Sequence, residues 1–320
     1  MNKWPETLQE AIVFFSNPEN CDQFMIAIRW QDGKVRCPHC DSDKVTYLAK
    51  QRRWKCYGKH PKSQFSLKVG TIFEDSPLGL EKWLPAAWLI CNCKNGISSY
   101  ELARDLKITQ KSTWFMLHRI RLAMQSGTFK KLAGPIEADE TFIGGKVRNM
   151  HLDKQTRARM GKKRIGGFEG KAVVMGLLDR NTREARVKVT PNNRAFYART
   201  NVIENVEKGA AVYSDSLRSY RNLPVDGFAH EFIDHTEAYV RGHVHTNGLE
   251  NFWSLFKRAL KGTYVSVEPF HLQAYADEQC FRFNERKSTD FDRFALVMMQ
   301  VVGRRITYDE LTGKTERQPG

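Results

Sequence analysis

Four residues between positions 37 and 60 carry side chains suited to a soft metal ion. Cys37 and Cys40 form the C-x2-C knuckle of CPHC, and Cys56 and His60 follow in RRWKCYGKH. Two thiolates at knuckle spacing chelate one tetrahedral ion, and a Cys3His set completes a zinc site. A second C-x2-C would need a cysteine at the position Lys59 holds, so His60 is expected as the fourth ligand. His39, inside the knuckle, is expected to be a solvated neighbour. So short a segment has little core, and its fold is expected to depend on one structural Zn2+ with no part in chemistry. Cys91 and Cys93, in the helical run WLPAAWLICNC, are read as buried thiols.

A second group is acidic. GPIEADETFIGG (134–145) alternates like a strand, with Ile136, Ala138, Phe142 and Ile143 as its apolar markers. Asp139 lies within it, beside Glu137 and Glu140. Charge at the centre of an apolar strand is costly unless paired or metal-bound. Glu137 shares the face of Asp139, whereas Glu140 points the other way. Either Asp139 or Glu137 can be the ligand, and Asp139 is preferred. AAVYSDSLRSY (210–220) reads as a short buried strand ending at Asp215, and the C-terminal end of a strand is a common place for a site. In HTNGLENFWSLFKRALKG (245–262), Leu249, Phe252, Phe256 and Ala259 form one helix face, with Glu250 and Lys257 on the other. Alone, Glu250 is an ordinary exposed helical glutamate.

The elements between these residues follow from periodicity. Residues 6–30 read as two helices broken at Asn17-Pro18, and 80–126 as helical. KAVVMGLLDR (171–180) and EARVKVTP (184–191) read as a hairpin, followed by a helix near 194–207 and a weaker strand in AHEFIDH (229–235). Residues 265–311 are again helical. In ISSYELARDLKITQKSTWFMLHRIRLAM (97–124), Ser98 and Glu101 fit a capping box and Thr109 caps a second helix. Lys111, His118, Arg119 and Arg121 are expected on the polar side of that second helix, which suits a helix-turn-helix. GGKVRNMHLDKQTRARMGKKRIGGFEGK (144–171) reads as a basic loop that grips phosphate through Lys162, Lys163 and Arg164.

Bulk composition fits a polyanionic partner. The 320 residues carry a formal charge of +15, and 41% are hydrophobic, enough to fill a core. No run approaches the roughly 18 apolar residues of a membrane span, and the N-terminus lacks a secretory pattern. A cytoplasmic, nucleoid-associated chain without membrane contact is expected, and the cysteines do not form a disulfide framework.

The order of elements resembles the ribonuclease-H-like fold of transposases and integrases. FSLKVGTIFEDS (65–76), EADETFIGGK (137–146), HTNGLENFWSLFKR (245–258) and FRFNER (281–286) resemble the bacterial ISXO-like group of insertion-sequence transposases, across roughly residues 20–290. The resemblance implies an acidic triad of Asp139, Asp215 and Glu250 holding two Mg2+ or Mn2+ ions, Asp139 bridging both. It implies cleavage at transposon ends and strand transfer into target DNA without a covalent protein intermediate. Lys257 and Arg258 would contact phosphate, Trp253 would wedge or stack on a base, and Lys111 and Arg119 would join the DNA contacts. His243 and His245 would lie near the site. Some relatives carry Asn in place of the third acid, which makes Asn247 a second choice beside Glu137 and His245. Terminal inverted repeats, target DNA and a homodimer on DNA are the implied partners.

The expected architecture is multidomain α+β. It comprises an N-terminal helical segment (1–34), a zinc ribbon (35–75), a helix-turn-helix (76–130), a ribonuclease-H-like α/β catalytic domain with a mixed sheet (131–290), and a C-terminal helix and tail (291–320). Competing readings are a DNA-binding regulator derived from an inactive transposase, a nuclease acting on RNA–DNA hybrids or junctions, and a zinc-stabilised structural protein.

Overall fold

The computed structural model describes residues 4–125, 130–144, 171–215, 220, 223–233 and 245–314. The basic stretch with Lys162, Lys163 and Arg164, and also His243, lies outside the described residues. Two compact units make up the chain: residues up to 125 together with those from 285 onward, and residues 126–284. The architecture is multidomain α+β.

The first unit starts with helix α1 (Leu8–Phe15), opened by the reciprocal capping box of Thr7 and Glu10. Asn17 caps α2 (Pro18–Arg29), and Pro18, which has no N–H to lose, takes its first position. Three short antiparallel strands follow: β1 (Val45–Leu48), β2 (Arg53–Cys56) and β3 (Gln64–Phe65). Helices α3 (Leu80–Asn92), α4 (Ser99–Leu106) and α5 (Gln110–Met124) come next.

The second unit is a five-stranded mixed sheet. Its strands are β4 (Ile136–Ile143), β5 (Ala172–Asp179), β6 (Ala185–Thr190), β7 (Ala211–Asp215) and β8 (Ala229–Ile233), in the order β6-β5-β4-β7-β8. β4, β5 and β6 pair antiparallel, while β7 and β8 run parallel to β4. Helix α6 (Ala195–Asn205) buries Ala198 and Val202 against Ile136, Ala138 and Val212 on one face. On the other face, α7 (Asn247–Ala259) and α8 (Leu272–Asn284) bury Leu249, Phe252, Phe256, Tyr275 and Phe283 against Val174 and Leu178. A π-helical turn, Leu260–Tyr264, ends α7.

The outer edge of β6 is closed by side-chain amides from α8. Gln273 accepts from Val189 N at 2.7 Å and donates to Val187 O, and Asn284 exchanges two hydrogen bonds with the backbone of Ala185. Backbone groups that an edge strand would leave open are thus satisfied within the unit.

From residue 285 the chain returns to the first unit. Helix α9 (Asp290–Met299) brings Phe294 onto Phe24, Phe15 and Trp88, with ring centroids 5.2, 5.5 and 5.2 Å apart. Arg293 donates to the Asn92 side chain, which in turn donates to Asp290 O. Helix α10 (Tyr308–Thr312) follows. Among the described residues no helix is long and apolar enough to cross a membrane.

Candidate active site

Asp139, midway along β4, and Asp215, at the end of β7, lie on neighbouring parallel strands. Ala138 pairs with Ser214, so Asp139 on β4 and Asp215, last residue of β7, hold the next register position. Opposite Asp139 on β5 stands Gly176. A Cβ there would lie 2.6 Å from the Trp253 ring and 3.0 Å from Leu249, so the glycine is what lets α7 lie close to the strands. Trp253 Nε1 donates to Asp139 Oδ2 at 2.9 Å. Burial, followed by the negative charge of Asp215, pushes the Asp139 carboxyl up to about 6; the Trp253 bond opposes the rise and Glu250 adds to it. Glu250 sits exposed in the first turn of α7. Of the other two acids, Asp215 acts on the Asp139 carboxyl more strongly than Glu250.

Glu137 has a different setting. Its side chain is fully buried. Oε1 accepts from Arg180 Nε at 2.9 Å and Oε2 accepts from the Leu249 backbone N–H at 3.0 Å. Arg180 also reaches the His245 ring nitrogen Nδ1 and carbonyl, and His245 Nδ1 lies 3.5 Å from Glu137 Oε1. Asn247 is exposed at the first position of α7. Glu140, on the opposite strand face and 8% exposed, accepts from Tyr220 Oη at 3.4 Å. Burial and then the charges of Asp215 and Asp139 push its carboxyl up to about 8.

Sequence reasoning missed Arg180, Gly176 and Tyr220 as neighbours of the site. Gly176 had a signal: a glycine inside the apolar run VVMGLL marks a close approach of another element. Arg180 had none, being one of several basic residues at a hairpin turn.

Two of the residues expected to touch DNA are buried. Trp253 is 4% exposed and committed to Asp139, so its ring is closed off from base stacking. Arg119 is 5% exposed; it donates to the carbonyls of Ile72 and Glu74 and lies over the Phe115 ring. His118 and Arg121 are buried as well. The polar side expected for α5 is therefore corrected: three of its four named residues are buried, and the Arg119 guanidinium serves the carbonyls of Ile72 and Glu74. Lys111 is exposed, 4.9 Å from the Tyr308 ring centroid. Lys257 and Arg258 are exposed on α7.

Between α4 and α5 the chain turns through Lys107 in the left-handed region, φ 51°. Ser98 accepts from Glu101 N, and Thr109 accepts from Ser112 N, so each helix starts on a hydroxyl cap.

The zinc ligand set is assembled on β2 and its flanking loops. The ligand atoms of Cys37, Cys40, Cys56 and His60 all lie within 4.8 Å of one another. Cys37 Sγ is 3.4 Å from His60 Nε2, and Cys40 Sγ is 3.6 Å from Cys56 Sγ. Backbone N–H groups of His39 and Gly58 point at Cys37 and Cys56 sulfur. A Cβ at Gly58 would stand 2.8 Å from Cys40 Sγ, so the loop can close around the sulfurs only with glycine there. His39 is exposed. Three thiolates and one imidazole fit zinc. Among the described residues the three carboxylates are not gathered to that spacing; carboxylate oxygens are the hard donors that cations of the Mg2+ class take.

Comparison with known proteins gives a consistent picture. Residues 131–284 match the ISXO2-like transposase domain, and residues 16–58 match the transposase zinc-ribbon domain. The chain is 28% identical over 253 residues to an uncharacterized protein in transposable element ISH50 of Halobacterium salinarum, covering 77% of this chain and 84% of that one. It is 33% identical over 96 residues to an uncharacterized transposase-like protein of Haemophilus influenzae, covering 30% of this chain and 77% of that one.

Proposed function

Since the chain belongs to the ISXO2-like (IS1595) transposase family, we propose that it cuts DNA at transposon ends and joins them to target DNA, with Asp139, Asp215 and Glu250 as its metal-binding carboxylates. The observation that carries this reading is the placement of Asp139 and Asp215 on adjacent parallel strands, with the helix that bears Glu250 in its first turn tied to Asp139 through Trp253. A sheet ordered 3-2-1-4-5 by its own strands, the first three antiparallel and the last two parallel, supports a ribonuclease-H-like domain.

In the reaction, water attacks the phosphodiester at the transposon end, and the freed 3′-hydroxyl then attacks target DNA. Two bound Mg2+ or Mn2+ ions would supply an activated nucleophile and neutralise the leaving oxygen. Asp139, Asp215 and Glu250 would hold them. Trp253 fixes one Asp139 oxygen. Lys257 and Arg258, exposed on the helix that carries Glu250, are suited to the phosphates beside the scissile bond. End recognition falls to the zinc ribbon and to α4 and α5 acting as a helix-turn-helix. With Arg119 buried, the helix-turn-helix would contact DNA through the exposed start of α5, with Lys111 placed for a phosphate. Transposition brings two ends together, so two chains on DNA belong to this reading.

The test is a strand-transfer assay on duplexes carrying the inverted repeats that flank the gene, with Mg2+. Nicked ends and joined products are expected. Specific binding without cleavage would instead mark a DNA-binding regulator, and cleavage without joining a nuclease.

A further inference from the structure

We propose that Glu137 is a positioning residue: a strand carboxylate that caps the N-terminal turn of α7 and so sets Glu250 against Asp139. The inference rests on the reading of Asp139, Asp215 and Glu250 as the metal-binding acids.

Helix α7 lacks a cap of its own. Thr246 stands at the cap position with φ −120° and ψ 20° and makes no side-chain hydrogen bond to the first turn. The third N–H of the helix, that of Leu249, goes to Glu137 Oε2 on β4. A helix N-terminus left uncapped and buried costs free energy, and an anion there is stabilised by the helix dipole. Glu137 supplies that anion from another element. Its other oxygen is held by Arg180, which also grips His245 just ahead of the helix. With both oxygens occupied and the side chain fully buried, Glu137 is built to hold protein rather than a cation.

A second bond fixes the helix in register. Glu137 meets Leu249, and two residues further along the strand Asp139 meets Trp253, four residues further along the helix. Two strand residues span about 6.6 Å and four helical residues about 6 Å, so the two bonds are rungs of nearly equal spacing. Together they fix both the height and the rotation of α7 on β4. Glu250 lies between the two rungs on the helix. Glycine lets the elements close: a Cβ at Gly248 would lie 2.7 Å from Glu137 Oε2.

The test measures Mn2+ binding to the full-length, zinc-loaded protein by the EPR signal of free Mn2+, well below its unfolding temperature. D139N and E250Q are expected to lose binding. E137A should keep the folded signature but bind Mn2+ about 10- to 100-fold more weakly, the usual cost of losing a ligand-orienting group. E137Q/R180Q exchanges the ion pair for an amide pair and keeps an acceptor for Leu249 N–H. It should recover most of the affinity, which a change in stability alone would not produce, and it keeps the test open if E137A fails to fold. The proposal is overturned if E137A binds like wild type while D139N does not. It is equally overturned if E137Q/R180Q loses binding as completely as D139N, because Glu137 would then be a ligand. Wild-type binding by D139N and E250Q would overturn the acidic triad itself, and this inference with it.

Discussion

The indole nitrogen of Trp253 donates to Asp139 Oδ2 at 2.9 Å, across a strand position that only glycine leaves open. The bond steadies the charged form of a carboxyl that burial and Asp215 push up to about 6. Trp253→Phe keeps the ring over Gly176 and removes the donor. The Asp139 pKa should rise further, and the acid limb of the pH–rate profile for end cleavage should move to higher pH. Cleavage at neutral pH should fall about tenfold or more, as for loss of other groups that orient metal ligands. An unmoved acid limb would refute this role for the indole.

Asp215→Asn and Glu250→Gln should each lower end cleavage by about a thousandfold or more, as loss of one member of a cooperating catalytic set does. Specific DNA binding and the far-ultraviolet circular dichroism spectrum should be retained. Wild-type turnover in both variants would remove these acids from the site.

Glu140 predicts how stability depends on pH. Its carboxyl is pushed up to about 8, against an ordinary value of 4.5. Between those values the native protein holds a proton that the unfolded chain has released, so stability falls as pH rises through that window. Glu140→Gln has no such proton to lose. Without added divalent ions it should match wild type near pH 4.5 and exceed it at pH 8.5, by on the order of a few kcal/mol. Thermal melts across pH 5–9 report the difference, and parallel curves for the two proteins would refute it.

Gly58→Ala places a methyl carbon 2.8 Å from the Cys40 sulfur, too close for the loop to keep its path. Zinc affinity should drop, read by competition with a chelating dye. Stripping zinc altogether should abolish end-specific DNA binding while leaving the β-sheet unit folded, since the four ligands belong to the other unit.

Lys111 and Arg119 should separate cleanly. Lys111→Ala should weaken DNA binding and lower the slope of log affinity against log salt by about 0.9, the signature of one lost phosphate contact. Arg119→Ala removes a buried donor from the carbonyls of Ile72 and Glu74 and should cost on the order of 2–4 kcal/mol of stability. Unchanged stability in that variant, with an altered salt slope, would return Arg119 to the DNA surface.

Elements whose period is written locally were legible in the sequence. The break at Asn17-Pro18, the hairpin of β5 and β6 and the apolar face of α7 follow from caps, turns and spacing. The zinc set was legible because four ligands crowd into a short segment. Partnerships between distant charges were not. Glu137 and Asp139 look alike along β4; what separates them is Arg180 and the Leu249 N–H, both far along the chain. Arg119 was misread for the same reason, because a basic residue on an amphipathic helix does not announce that two carbonyls await it. Nor does local pattern reveal that α9 returns to the first unit.

That return orders events during synthesis. Phe15, Phe24 and Trp88 leave the ribosome early, while Phe294 arrives roughly 200 residues after Trp88. At about 5–20 residues per second, the early aromatics wait on the order of ten seconds or longer for their partner. A nascent chain halted before residue 290 carries the zinc ligands and the acids but an unfinished aromatic core, which leaves it open to chaperones and proteases. A chain cut short before residue 290 should therefore be degraded rather than persist as a stable DNA-binding fragment.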